Sequence, residues 1–258
     1  MAPWQEDKQE WVRSLKWVEP DLIVNTGDSL GHEKALDAVR YAFEVFSGVP
    51  GVYVHGSNDY YGPVFKNPLG YLIPSLAGSK KAKQLDVEAL EDLYEEFGWL
   101  SLNNTARAVE IKGNRLEFFG VNDAHRNWDR LDLLPGAIEA MREYVGWTTP
   151  EAAPGVTSFG VTHSPYQRIL NSFVNSGADV IFAGHTHGGQ IRVPGGHAIV
   201  TNCDIPREQA SGLSRWTNAG RQSWLNVSQG IGTAITAPAR LGTPPEAVVI
   251  TLEARDSA

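Results

Sequence analysis

Apolar residues at Trp4, Trp11, Leu15 and Val18 alternate with Asp7, Lys8, Glu10, Arg13 and Lys16, which predicts an amphipathic helix over residues 4–18 that Pro20 ends. A short apolar run at residues 22–24 then predicts a strand leading into Thr26-Gly27-Asp28. The pattern repeats, with a helix over 34–46 and a strand over 52–54 that enters Gly56-Ser57-Asn58-Asp59. Residues 60–84, with Pro63, Pro68, Pro74 and a Gly78-Ser79 pair, read as a surface excursion. An amphipathic helix over 87–97 is closed by Gly98, and two strands near 108–111 and 116–121 face each other across Lys112-Gly113-Asn114-Arg115, a hairpin signal. A strand over 158–162 runs into His163, a helix follows over 166–175, and the apolar run 178–183 reads as a buried strand. Short β-like segments at 190–193, 198–201, 224–227 and 247–252 complete the chain.

Strand–loop–helix alternation with polar residues at strand ends predicts an α/β fold. The expected form is two mixed β-sheets packed face to face with helices on the outside, in one domain over residues 1–258. A chain of 258 residues suffices for such a core, and no linker or repeat divides it.

Composition narrows the partners. The charge of −8 disfavours a long polyanion such as DNA. No nucleic-acid patch is evident, the largest basic run being Lys80-Lys81-Lys83, which reads as a solvated loop. A single cysteine, Cys203, excludes an intrachain disulfide framework and reads as a small buried filler. No apolar stretch approaches the roughly 18 residues of a membrane span, so the chain as written reads as soluble.

The chemistry gathers at the strand ends. Gly184-His185-Thr186-His187-Gly188-Gly189-Gln190 follows the buried run, and Asp28, Asn58 and His163 each follow an apolar run within a few residues. One carboxylate, one amide and three imidazoles are a mixed oxygen–nitrogen set suited to manganese, iron, zinc or nickel. Taken singly each has a plain alternative, Asp28 as a helix cap and His163 as a core histidine. Their recurrence at one topological position argues for a metal site, with Asp28 able to bridge two ions.

These residues resemble the calcineurin-like metallophosphoesterases, whose blocks run Asp-x-His, Gly-Asp, Gly-Asn-His-Asp/Glu, a later His, and Gly-His-x-His. This chain shows Gly27-Asp28, Gly56-Ser57-Asn58-Asp59, Val161-Thr162-His163 and Gly184-His185-Thr186-His187 in that order. The extended Gly-His-Thr-His-Gly-Gly-Gln-Ile-Arg is similar to a bacterial subgroup that includes membrane-associated and exported phosphoesterases. The resemblance implies two divalent ions bridged by Asp28. Asn58, His163 and His185 would complete one site, and His187 would belong to the other. It implies hydrolysis of a small phosphomonoester or phosphodiester by a metal-bound hydroxide, with Asp28, Asn58, Asp59 and His185 in the catalytic set.

Two departures bear on this expectation. An ungapped match places Ser57 at the ligand position. Asn58 is preferred because an amide carbonyl is a better neutral donor than a serine hydroxyl. Substrate positioning or proton delivery would then fall to Asn58 or Asp59. The opening Asp-x-His block is also absent, so Met1 is read as an internal methionine, with the first central strand and any membrane-proximal segment lying upstream. On that reading the chain as given holds one ion or none, and the alternative is a degenerate, non-catalytic binding or scaffold protein. Asp123-Ala124-His125 is an out-of-order Asp-x-His, read first as a structural loop, then as a loop near substrate, and last as a replacement ligand pair. His32 is a remote candidate for the cleft, and His55 and His197 read as structural. Tyr60, Tyr61, Phe65 and Trp216 read as core or loop anchors before cleft aromatics.

Overall fold

The computed structural model describes residues 1–62, 82–149, 151–189, 191–192, 198, 200–233 and 240–253. Phe65, His197 and most of the 60–84 excursion lie outside them. Three short strands, β1 (Ile23–Asn25), β2 (Gly51–Tyr53) and β3 (Trp99–Ser101), form one sheet in the order β1-β2-β3. All its pairings are parallel, so the expected mixed character belongs only to the second sheet. The three strands are continuous, and β1 at the margin pairs with no described strand other than β2.

The second sheet runs β4-β5-β6-β7-β9-β8. Its members are β4 (Thr105–Ile111), β5 (Asn114–Gly120), β6 (Thr157–Val161), β7 (Val180–Ala183), β8 (Gly212–Asn218) and β9 (Arg221–Val227). Strands β5, β6, β7 and β9 are parallel, flanked by antiparallel β4 and β8. The β4–β5 hairpin is present. Its two turn residues are Lys112 and Gly113, both at positive φ (50° and 78°), one position earlier than the Gly113-Asn114 pair the sequence suggested. Two left-handed turn residues match the twist of the flanking strands.

Period-two alternation builds the layers. Val52 and Val54 point between the sheets with Leu102, Phe118, Phe159 and Val161. The rings of Phe118, Phe159 and Phe182 stack in a ladder across β5, β6 and β7, with centroids 4.7 and 5.9 Å apart. The intervening residues face outward. Phe119 and Ile181 meet Ile169, Leu170 and Phe173 of α6 (Gln167–Asn175), and Leu134 and Ile138 of α5 (Leu134–Val145). Gly160 is required there, because a Cβ would lie 2.4 Å from the Phe173 ring. On the other sheet Tyr53 and Trp99 meet Val12 of α1 (Glu6–Ser14), Val39 and Ala42 of α2 (Leu36–Phe43), and Leu90, Leu93 and Tyr94 of α4 (Val87–Glu96). Helix α3 is the single turn Ser57–Tyr60. The architecture is the expected sandwich of two sheets between helical layers.

Several elements differ from the sequence reading. Strands β3 and β8 and helix α5 were not anticipated. In α5 the apolar positions Leu134, Ile138 and Met141 recur at helical spacing, but Pro135 and Gly136 mask the start, Pro being tolerated in the first turn. Residues 247–252 form no strand, and Val249 and Leu252 are exposed. Around 191–198 there are only isolated bridges among the described residues, Ile191 to Leu241 and Arg192 to Ala198. No helix among the described residues is long and apolar enough to cross a membrane.

Candidate metal centre

Four parallel strands deliver the candidate side chains, two from each sheet. Asp28 follows β1, Asn58 follows β2, His163 follows β6, and His185 and His187 follow β7. Loops at the carboxyl ends of parallel strands are where α/β folds place sites. The two loops of the small sheet touch backbone to backbone. Gly27 sits at φ 93°, and a Cβ on it would lie 2.6 Å from Gly56 N. Gly56 lies under the cluster, since a Cβ there would fall 2.1 Å from Asp28 Oδ1 and 2.7 Å from His163 Nε2. The sequence glycines are therefore steric requirements of the site.

Asp28, His185 and His187 all adopt left-handed backbone conformations (φ 61°, 65° and 50°), which cost non-glycine residues on the order of 1–3 kcal/mol each. Asp28 Oδ1 accepts from Asn58 N at 2.9 Å, and Oδ2 accepts from the Asn58 amide Nδ2 at 2.7 Å. His163 Nδ1 donates to the Thr26 carbonyl at 2.7 Å, which turns Nε2 toward Asp28 Oδ2 (3.4 Å) and His185 Nδ1 (3.2 Å). Burial opposes a charge on His163, but the Asp28 carboxylate outweighs it and raises the imidazole to about 10. Burial and the neighbouring His163 cation lower His185 to about 3, leaving a neutral ring whose Nδ1 accepts. Burial pushes Asp28 up, yet His163 and the Asn58 N–H hold its carboxyl well below the usual range.

The His163 proton thus stands among donor atoms suited to a divalent ion. Nitrogen and oxygen ligands about 2.0–2.1 Å from a zinc-like ion are separated from one another by about 2.9–3.4 Å at octahedral to tetrahedral angles. The 3.2 and 3.4 Å separations fall in that span. The nitrogen of His185 turned to this trio is Nδ1; Nε2, its other ring nitrogen, is buried and makes no hydrogen bond of good geometry among the described residues. As the side chains stand, no group of three His, Cys, Asp or Glu residues among the described residues is already arranged to hold an ion. The donor types and spacings fit one ion, which would replace the His163 proton. His187 stands apart from this trio. Its Nδ1 lies 3.3 Å from Arg240 Nη2, and burial and Arg240 lower it to about 4.

Asp59 does not face the cleft. It is fully buried, and its carboxylate accepts from Asp28 N (2.8 Å), Leu30 N (2.9 Å) and Gly56 N (3.0 Å). The substrate-side role expected of it is replaced by that of a brace between the two ligand loops. Behind it, burial lowers His55, but the Asp59 carboxylate (3.7 Å from Nδ1) and the hydrogen bond to Glu91 (Nε2 to Oε1, 3.0 Å) prevail and hold it at about 9. That structural role agrees with the sequence reading.

The Asp123-Ala124-His125 loop proves closer to the chemistry than its place in the order suggested. The His125 ring packs against His185 at 4.7 Å, and its Nδ1 pairs with the Tyr166 hydroxyl at 2.9 Å. Asp123 is buried, its Oδ1 accepting from His125 N and Ser164 Oγ, its Oδ2 without a partner among the described residues. The available signal was its position after β5, another strand of the parallel set. His32 instead packs on Trp4 (4.9 Å). Trp216 is a core residue donating to Asn171, Tyr60 accepts from Asn122 and packs on Trp128, and Cys203 is half-buried.

The fold is a two-sheet α/β sandwich with its candidate donor residues gathered at the carboxyl ends of four parallel strands. The chain belongs to the calcineurin-like phosphoesterase family, whose model matches residues 5–189. It is 27% identical over 248 residues to the uncharacterized protein YpbG of Bacillus subtilis (strain 168), a match covering 95% of this chain and 75% of that protein. Among solved structures it is similar to a 5'-nucleotidase precursor from Thermus thermophilus, with TM-score 0.46 and 12% identity over 86% of this chain. It is also similar to the NAD nucleotidase of Haemophilus influenzae, with TM-score 0.49 and 10% identity over 86% of this chain. The chain spans 42% and 39% of those two proteins.

Proposed function

We propose that this protein is a divalent-metal-dependent phosphoesterase acting on small phosphomonoesters or phosphodiesters. The observation that carries the reading is the meeting of Asp28, Asn58, His163 and His185 from four strand ends of two sheets, with His185 Nδ1 and Asp28 Oδ2 both turned to His163 Nε2. A bound ion supplies Lewis acidity and lowers the pKa of water, so no separate protein base is needed. Asp28, His163 and His185 are its ligands in this reading. Asn58, exposed beside them, joins through its carbonyl after an amide rotation that releases Asp28 Oδ2. Asp59 holds the loops that present Asp28 and Asn58. His187, with Asp28, belongs to a second ion position in a binuclear form.

The contact between His187 and Arg240 favours a second reading, in which the protein holds one ion and binds phosphate compounds without turnover. Elemental analysis after manganese loading, combined with hydrolysis of 4-nitrophenyl phosphate and bis(4-nitrophenyl) phosphate, separates the two. Metal-dependent hydrolysis that His185→Ala abolishes supports the enzyme. A folded, metal-loaded protein inactive toward both classes of ester overturns it.

A further inference from the structure

The matched family region ends at Gly189, yet the corner around His187 is completed by residues forty and more positions later. Arg240 reaches into the turn that follows β9. Its Nη2 donates to Gln229 O at 2.7 Å and Gly230 O at 2.9 Å, and its Nε donates to Gly232 O at 2.9 Å. Nη1 donates to Thr243 O at 3.2 Å, closing the arginine's own loop. Glu246 grips the same turn from the other side, accepting Gln229 N at 2.8 Å and Gln229 Nε2 at 2.9 Å, while its own N–H donates to Gly230 O.

The turn bears directly on His187. The Gln229 backbone favours the protonated imidazole, a Cβ on Gly232 would touch the His187 Cε1 at 4.0 Å, and a Cβ on Gly188 would lie 2.5 Å from Gln229 Oε1. A second path runs through Leu241, whose carbonyl accepts from Arg192 N at 2.8 Å. Arg192 Nε in turn donates to Gly188 O at 3.1 Å. One short segment thus holds His187 from both flanks.

Neutral carbonyls alone could be satisfied by neutral donors or water. Here four carbonyls, those of Gln229, Gly230, Gly232 and Thr243, take hydrogen bonds from one side chain, which a guanidinium with five N–H groups on a rigid fork can supply and hold in register. We propose that Arg240 and Glu246 form a clasp that positions His187 through the Gln229–Gly232 turn, setting the ring for its part in the metal centre. Arg240 is a positioning residue in this scheme. The proposal rests on the metal-centre reading above, but the clasp itself is testable in metal-free protein.

The experiment compares wild type with Arg240→Ala, Arg240→Lys and Glu246→Gln. It reads amide hydrogen exchange at 187–189 and 229–232 without metal, manganese affinity by calorimetry, and hydrolysis with and without added guanidinium chloride at millimolar concentration. The expected results for Arg240→Ala are faster exchange in both segments and manganese binding weaker by about 10- to 100-fold, the range seen when a residue supporting a ligand is lost. Added guanidinium should recover part of the affinity, and Arg240→Lys should fall between. A folded Arg240→Ala protein with unchanged exchange at 187–189 and manganese affinity within twofold of wild type overturns the clasp. Should Arg240→Ala not fold, Glu246→Gln decides by the same two readings. Failure of wild type to bind manganese would overturn the metal-centre reading, while the metal-free exchange data would still decide the clasp.

Discussion

The two halves of the candidate centre are built on opposite plans. Around Asp28 and His163 the donors compensate each other: carboxylate, imidazolium and neutral imidazole lie within 3.4 Å, and backbone groups of the neighbouring strand-end loops aim them. At His187 the charged group in contact is Arg240, and the aiming is done by a segment more than fifty residues away in the chain. The first half is dictated by strand ends and would form wherever the two sheets meet. The second depends on closure of the C-terminal loop, so it is the half that single substitutions outside the motifs should disturb.

The sharpest test of the first half is His185→Ala, which removes a buried donor and should lower metal-dependent hydrolysis by at least about 100-fold. Steady-state assays on 4-nitrophenyl phosphate check it, and near-wild-type rates would break the comparison. Gly56→Ala should follow closely, by about 10-fold or more, because its Cβ would displace the Asp28 carboxylate; a retained manganese affinity would contradict this.

Asp59→Asn tests whether the first half is braced from behind. An amide cannot accept all three backbone N–H groups that the carboxylate does, so stability should drop by about 2–3 kcal/mol in urea unfolding. A change below about 0.5 kcal/mol would remove Asp59 from the account.

His163 links the centre to pH. Held at about 10, it must release its proton to ligate, so manganese binding near pH 7 should release about one proton and strengthen as pH rises. Calorimetry in buffers of different ionisation enthalpy measures this, and zero release would show that His163 is not a ligand. The smallest effect expected is on stability, through His55. Its folded pKa of about 9 lies above the unfolded value, so the stability it contributes is complete below about 6.5 and is lost as pH rises through 9. Urea midpoints at pH 6, 7.5 and 9 should decline, and His55→Gln should flatten that decline.

Much of this was open to reading along the chain. The runs before Asp28, Asn58, His163 and His185 are apolar with period two or continuous, and Gly27, Gly56 and Gly184 mark places where backbone must approach closely. Those local features locate the parallel strands and the polar loops at their ends. Strand β3 follows α4 after only Phe97 and Gly98, so its apolar pair Trp99-Leu100 has no separate run of its own to register, and α5 hides its apolar stripe behind Pro135 and Gly136. The expected strand at 247–252 had the right residues but found no partner among the described strands, which is a tertiary matter.

What the sequence determined alone is the set of candidate donor residues at the strand ends, their order and the alternating layers, because spacing and residue chemistry are local properties. Only the tertiary structure decided that Asp59 turns inward as a brace, that His125 packs against His185, and that Arg240 meets His187. The reason is physical: which face of a loop residue is buried, and which distant group satisfies its hydrogen bonds, depends on how the two sheets close upon each other.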